Sequence, residues 1–94
     1  MTLYEFLDII NVELEIIRVP NSGKEWNFIS SLKYGEIKDS KQDGVLSGTT
    51  GWGKTIDLSL INLVKQIKGK WLVIDAYGGK ERREFGIPDT ISLF

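Results

Sequence analysis

Ninety-four residues with neither Cys nor His make one small domain, and remove disulfides, thiolate nucleophiles, Cys-built zinc sites and the most versatile general base. Twelve Lys and Arg against 13 Asp and Glu leave a formal net charge of −1, which excludes a generally basic nucleic-acid-binding protein. No apolar run approaches the roughly 18 residues of a membrane-spanning helix, and the N-terminus is acidic and amphipathic rather than signal-like. The expectation is one soluble cytoplasmic domain over 1–94 with no membrane contact. Charge is uneven along it: residues 1–15 carry Glu5, Asp8, Glu13 and Glu15 without a base, whereas 54–70 carry Lys54, Lys65, Lys68 and Lys70 against Asp57 alone.

Thr2-Leu3-Tyr4-Glu5 has the spacing of a capping box, and Leu3, Phe6, Leu7 and Ile10 then recur at helical intervals up to Asn11. A short helix covering a sheet is predicted. Val12, Leu14 and Ile16 alternate with Glu13 and Glu15 as in a half-buried strand, and Pro20-Asn21-Ser22-Gly23 is turn chemistry. A second strand sets Trp26, Phe28, Ser30, Leu32 and Tyr34 on one face, and Gly35 predicts a bend or bulge before Glu36-Ile37-Lys38. After a polar loop over 39–44, a short third strand is predicted over 45–50.

Thr55 then reads as the N-cap of a helix with Asp57 at its positive end, a core face of Ile56, Leu60, Leu63, Val64 and Ile67, and Gly69 as terminator. Leu58 and Ile61 fall off that face. Residues 71–77 form the most apolar run, which suits a central strand buried on both sides, and Gly78-Gly79-Lys80 turns it into an edge strand over 81–87 that Pro88 ends. Ile91, Leu93 and Phe94 read as a packed apolar tail. The fold expected is α+β: an antiparallel sheet of about four to five strands in the order α-β-β-β-α-β-β, helices packed on one face.

The stretch Gly48-Thr49-Thr50-Gly51-Trp52-Gly53-Lys54-Thr55 matches the phosphate-binding pattern G-x-x-x-x-G-K-[ST]. Read as a Gly-rich loop, it would let backbone N–H groups converge on an anion at a helix N-terminus, with Lys54 adding a full charge. Thr55 and Asp75 would then be candidates for Mg²⁺. A nucleotide hydrolase of that class, however, needs several parallel strands joined by crossover helices and a residue to orient the attacking water; this chain offers a meander, and no evident such residue. Without Cys, His or a clustered pair of acids the reading is non-catalytic, with no cofactor. The candidate ligand- or partner-binding residues are Thr50, Gly51, Trp52, Gly53, Lys54 and Thr55, with Lys65 and Arg82 beside them. Trp26 and Trp71 are expected in the core, whereas Trp52, in the Gly-rich stretch, has two equal readings: a plug folded into the core, or an exposed ring that fills a partner's pocket or stacks on a base. Arg82 and Arg83 must point to opposite faces of a strand.

Gly51-Trp52-Gly53-Lys54-Thr55 followed by an amphipathic helix resembles the last loop and helix of a double-stranded-RNA-binding domain, and the α-β-β-β-α order is similar to that family's. The resemblance implies phosphate contacts from the loop and helix start; Lys54 is the residue that matches, and Ile56, Asp57 and Leu58 stand where further bases would be expected. The core over residues 12–77 also resembles the HicB-like antitoxin fold in topology. Nearly the whole chain is similar to small accessory proteins of phages and prophages of Gram-positive bacteria, through Thr2-Leu3-Tyr4-Glu5-Phe6-Leu7, Gly53-Lys54-Thr55, residues 69–76 and Arg82-Arg83-Glu84. That resemblance implies a protein acting stoichiometrically in an infected cell, for instance as an anti-defence inhibitor. The partners it allows are a host protein or a nucleotide-like anion, with nucleic acid and a homodimer as alternatives.

Overall fold

The computed structural model describes residues 1–20, 26–75 and 81–94. The turns expected at 21–23 and 78–80, and the strand end at 76–77, lie outside the described residues. Helix α1 (Leu3–Ile10) is followed by strands β1 (Leu14–Arg18), β2 (Phe28–Lys38) and β3 (Ser47–Gly53), helix α2 (Ile56–Ile67) and strands β4 (Trp71–Ile74) and β5 (Arg83–Gly86). The fold is therefore the expected α+β arrangement, two helices on a five-stranded antiparallel sheet.

Strand β2 is the spine of the sheet. Its first half pairs with β1, Leu14 opposite Leu32 through Arg18 opposite Phe28, and its second half with β4, Gly35 opposite Ile74 through Lys38 opposite Trp71. Strand β3 pairs with both halves, so β1 and β4 lie end to end along one edge of β2 and β3 runs along the other. Between the two halves the β2–β3 register shifts: Leu32, Lys33, Tyr34 and Gly35 face Thr49 alone. This is the bulge that Gly35 predicted. Thr49, 2% exposed, bridges the gap: its hydroxyl accepts from the Leu32 N–H at 3.1 Å and lies 3.3 Å from the Leu32 and Gly35 carbonyls. The bulge turns Tyr34 out of the row of inward residues, with a φ of 60° and 68% exposure.

Both helices lie on one face of the sheet. Leu3, Phe6, Leu7 and Ile10 of α1 and Leu60, Leu63, Val64 and Ile67 of α2 share one core with Leu32, Ile37, Leu72 and Ile74. The capping box of α1 is present in full, Glu5 N–H to Thr2 Oγ1 at 3.2 Å and Thr2 N–H to Glu5 Oε1 at 3.1 Å. Those contacts hold the Glu5 carboxyl below its ordinary pKa. Thr55 caps α2 by accepting from the Leu58 N–H at 3.1 Å. Beyond α2, Gly69 has a φ of 73°, the left-handed conformation expected of a terminator.

Four expectations are corrected. Ile56 is exposed, and Ser59 takes its place on the buried face of α2, where its backbone lies against Gly51 and Gly53 of β3. Phe94 is 83% exposed although Ile91 and Leu93 are buried: Leu93 is the last side chain of the core cluster, and the Ser92 hydroxyl holds Phe94 by its backbone carbonyl alone. Trp26 and Trp71 are half-buried and outside the core cluster. Finally, the third strand is shifted from the expected 45–50: it starts at Ser47 and runs on through Gly53, so the supposed loop is strand.

Candidate functional site

The reason lies in Gly51 and Gly53. Both are buried on the helix side of β3, and a Cβ on either would fall on the backbone of α2, at Ser59 and Leu63 for Gly51 and at Leu58 and Ser59 for Gly53. These glycines let the helix rest directly on the strand backbone. Ser30, fully buried on the neighbouring strand, secures the contact by donating to the Ser59 carbonyl at 2.9 Å. In a strand successive N–H groups point to opposite edges, so residues 48–53 are not gathered around a single anion. Lys54 and Thr55 alone form the connection, Lys54 exposed and Thr55 engaged as the cap of α2.

Alternation along β3 then turns Thr50 and Trp52 to the opposite face, which neither helix covers. Trp52 is 44% exposed. Its register partner is Ile29, whose own partner on β1 is Ile17, 52% exposed. The result is an apolar row, Ile17–Ile29–Trp52, across three strands of the outer face. Trp26 packs edge-on against Trp52, ring centroids 4.3 Å apart and planes at 77°, and the Asn62 amide donates to the Trp52 carbonyl at 2.6 Å. Trp26 thus packs against the Trp52 ring, and Asn62 ties the strand backbone that carries it to α2. Sequence reasoning singled out Trp52 but missed Ile17 and Ile29; the alternation Glu15, Ile17 and Ile29, Ser31 was its available signal.

The other candidates are not brought to this spot. Lys65 is exposed in the last turn of α2, about 15 Å along the helix from Thr55 at 1.5 Å per residue. Arg82 precedes β5, about three strand spacings from β3, roughly 14 Å. It belongs to a different group on the outer face. There Lys38, its side chain 7% exposed, meets the Glu84 carboxylate at 2.9 Å. Trp71 Nε1 donates to the same carboxylate at 3.2 Å and Arg82 Nε lies 3.8 Å away. Hydrogen bonding from Lys38, then from Trp71, holds Glu84 below the ordinary carboxylate range against the opposing effect of desolvation. By register the Lys38–Glu84 pair reaches diagonally across Val73, which explains why Val73 is fully buried yet outside the main core.

Arg83 takes the opposite face, as strand alternation requires. Its guanidinium donates to the Ile10 carbonyl at 2.6 Å and the Asn11 carbonyl at 3.4 Å, satisfying the C-terminal end of α1. A recess of about 220 Å³ opens beside it, lined by Asn11, Glu13, Lys33, Tyr34 and Asp75 among others. Asn11, Tyr34 and Asp75 are the three non-glycine residues with positive φ among the described residues. Two of the charged groups there are paired: Lys33 Nζ stands 3.1 Å from Glu13 Oε2, and that contact raises the Lys33 pKa. No group of three or more acidic side chains placed to hold a metal occurs among the described residues.

No protein-family model, curated protein or solved structure matches the chain. No helix among the described residues is long and apolar enough to cross a membrane.

Proposed function

We propose that the chain is a small non-catalytic binding protein that acts stoichiometrically on a protein partner through the uncovered face of its sheet. The observation that carries this reading is the row Ile17–Ile29–Trp52, an aromatic anchor packed against Trp26 on a strand whose backbone Asn62 ties down, with two aliphatic neighbours in line and no helix over them. Aromatic side chains held rigidly in an apolar patch are the usual centres of binding energy. The partner surface that fits is an apolar pocket wide enough for an indole, with a polar rim facing Glu15 and Lys54. By occluding such a pocket the protein would inhibit its partner, in keeping with the resemblance to phage accessory proteins and with an anti-defence role in the host cytoplasm.

The test is affinity capture from host lysate with the wild-type protein and with Trp52→Ala, each checked for an unchanged fold. A partner retained in about equimolar amount by the wild type and lost with Trp52→Ala supports the reading. No retained partner, or one indifferent to Trp52, overturns it.

A second reading, nucleic-acid or nucleotide-like ligand binding, draws on one observation: Lys54 is exposed at the start of α2 in an α-β-β-β-α order. It expects retention on duplex RNA that falls steeply with salt and with Lys54→Ala, or a rise in melting temperature with saturating nucleotide. Neither response in a chain that captures a protein would eliminate it.

A further inference from the structure

Strand β1 closes one end of the sheet path, and nothing among the described residues pairs with its outer edge. Which backbone groups it offers follows from the ladder. The Lys33 N–H donates to the Glu13 carbonyl and the Val19 N–H to the Asn27 carbonyl, so the odd-numbered residues of β1 direct their backbone groups at β2. Leu14, Ile16 and Arg18 therefore present their N–H and C=O groups outward. The flanking side chains are apolar and uncovered: Ile16 is 41% exposed on the helix side, beyond the reach of α2, and Ile17 is 52% exposed on the outer side. The edge carries no Pro between residues 14 and 18 and no bulge of the kind that blunts natural edges. The other flank of the spine differs, since the Trp52 carbonyl on the free edge of β3 is already taken by Asn62.

We infer that a second copy of this chain occupies that edge, β1 against β1 in antiparallel pairing, centred on Ile16. The argument for self-pairing is the charge pattern. An antiparallel pairing centred on Glu15 sets carboxylate against carboxylate, and one centred on Arg18 sets guanidinium against guanidinium, both destabilising when directly opposite. Centring on Ile17 brings Leu14 opposite Pro20, which has no N–H to give. Centring on Ile16 avoids all three. Leu14 of each copy then faces Arg18 of the other, Ile16 faces Ile16, and every outward N–H and C=O of the three residues is used, about six hydrogen bonds in all. The two Ile16 side chains cover one another on the helix side. On the outer side Glu15 of each copy stands beside Ile17 of the other, away from its own counterpart.

The two-fold axis of such a pairing is normal to the sheet, so both pairs of helices stay on one side and both outer faces share the other. The dimer would present two Ile17–Ile29–Trp52 rows side by side. Its formation does not depend on what those rows bind. Two five-residue edges make an interface well below the standard size of permanent complexes, so association is concentration-dependent.

Sedimentation equilibrium across a concentration series tests this directly. The mass of the full chain is expected to rise from 10.7 kDa toward about twice that value between micromolar and millimolar protein. Ile16→Pro removes only an outward N–H and leaves the β1–β2 ladder its own bonds; Ile16→Lys sets ammonium against ammonium at the axis and serves if the proline variant fails to fold. Each is expected to stay at the monomer mass throughout, with an unchanged circular dichroism spectrum. A wild type monomeric to millimolar concentration, including one whose edge takes up only an unrelated strand peptide, overturns the inference. So does a dimer that survives in a folded Ile16 variant.

Discussion

Two residues decide what the sequence motif means. Gly51 and Gly53 satisfy a phosphate-loop pattern, yet their lack of side chains is used where α2 lies against the backbone of β3. A Cβ at Gly51 has no space to enter without moving helix backbone. Small-to-large changes in packed interiors cost about 1–3 kcal/mol, occasionally more, and Gly51→Ala is expected at or above the top of that range because backbone, not a flexible side chain, must give way. Urea denaturation checks this; a loss under about 0.5 kcal/mol, the scale of an ordinary surface change, would mean that the helix yields easily. The same residue separates structure from ligand chemistry, since an alanine that spares stability but abolishes anion binding would point back to a loop role. Tyr34 is one of the three non-glycine residues with positive φ among the described residues. At a φ of 60° a non-glycine residue stands in a costly region, and its position next to the bulge spanned by Thr49 accounts for that.

At the scale of elements, the helices were legible because their signals are local. The capping box at Thr2 and Glu5, the apolar spacing after it, and Thr55 ahead of α2 each act within one turn, and the structure reproduces all three. The order of elements along the chain followed from alternation and helical spacing, whereas the pairing of both β1 and β4 with the long β2 did not. What sequence could not supply was the extension of β3 to Gly53, because glycines at 51 and 53 carry poor strand propensity and are strand through pairing with β2 under the close approach of α2, both tertiary contacts. The outer-face row was hidden likewise: Ile17, Ile29 and Trp52 are far apart in sequence and meet only through register. Arg83 shows the long-range side of helix capping. Helix α1 has eight residues, with no basic residue in its last turn, and the charge complementing its C-terminal carbonyls arrives from β5. Arg83→Met, which keeps most of the aliphatic stem, is expected to cost about 1–2 kcal/mol, the scale of a charge-assisted hydrogen bond plus a cation at a helix terminus. Amide exchange should speed up over Leu7 to Asn11 more than over α2; uniform acceleration would place the loss in the core instead.

The whole molecule should respond to pH with a wide flat plateau. With no His in the chain, no side chain ordinarily titrates between about pH 5.5 and 7. The limits of the plateau come from groups whose pKa the fold moves. Glu84 is held low by Lys38 and Trp71, and Glu5 by Thr2. A carboxyl whose folded pKa is depressed binds its proton more readily when unfolded, so these contributions are complete above the unfolded Glu range and are lost as pH falls through the folded values. Lys33 is raised by Glu13; its contribution is complete below the unfolded Lys range and disappears as pH rises through the raised value. Melting temperature is therefore expected to be level from about pH 5.5 to 7, to fall on the acid side, and to fall again in the alkaline lysine range. Glu84→Gln should lower the plateau and flatten the acid limb, because the difference in proton binding at that position is gone. A wild-type profile that slopes through neutral pH, or an acid limb identical in Glu84→Gln, would show that the Lys38–Glu84 pair over Val73 does not couple protonation to folding.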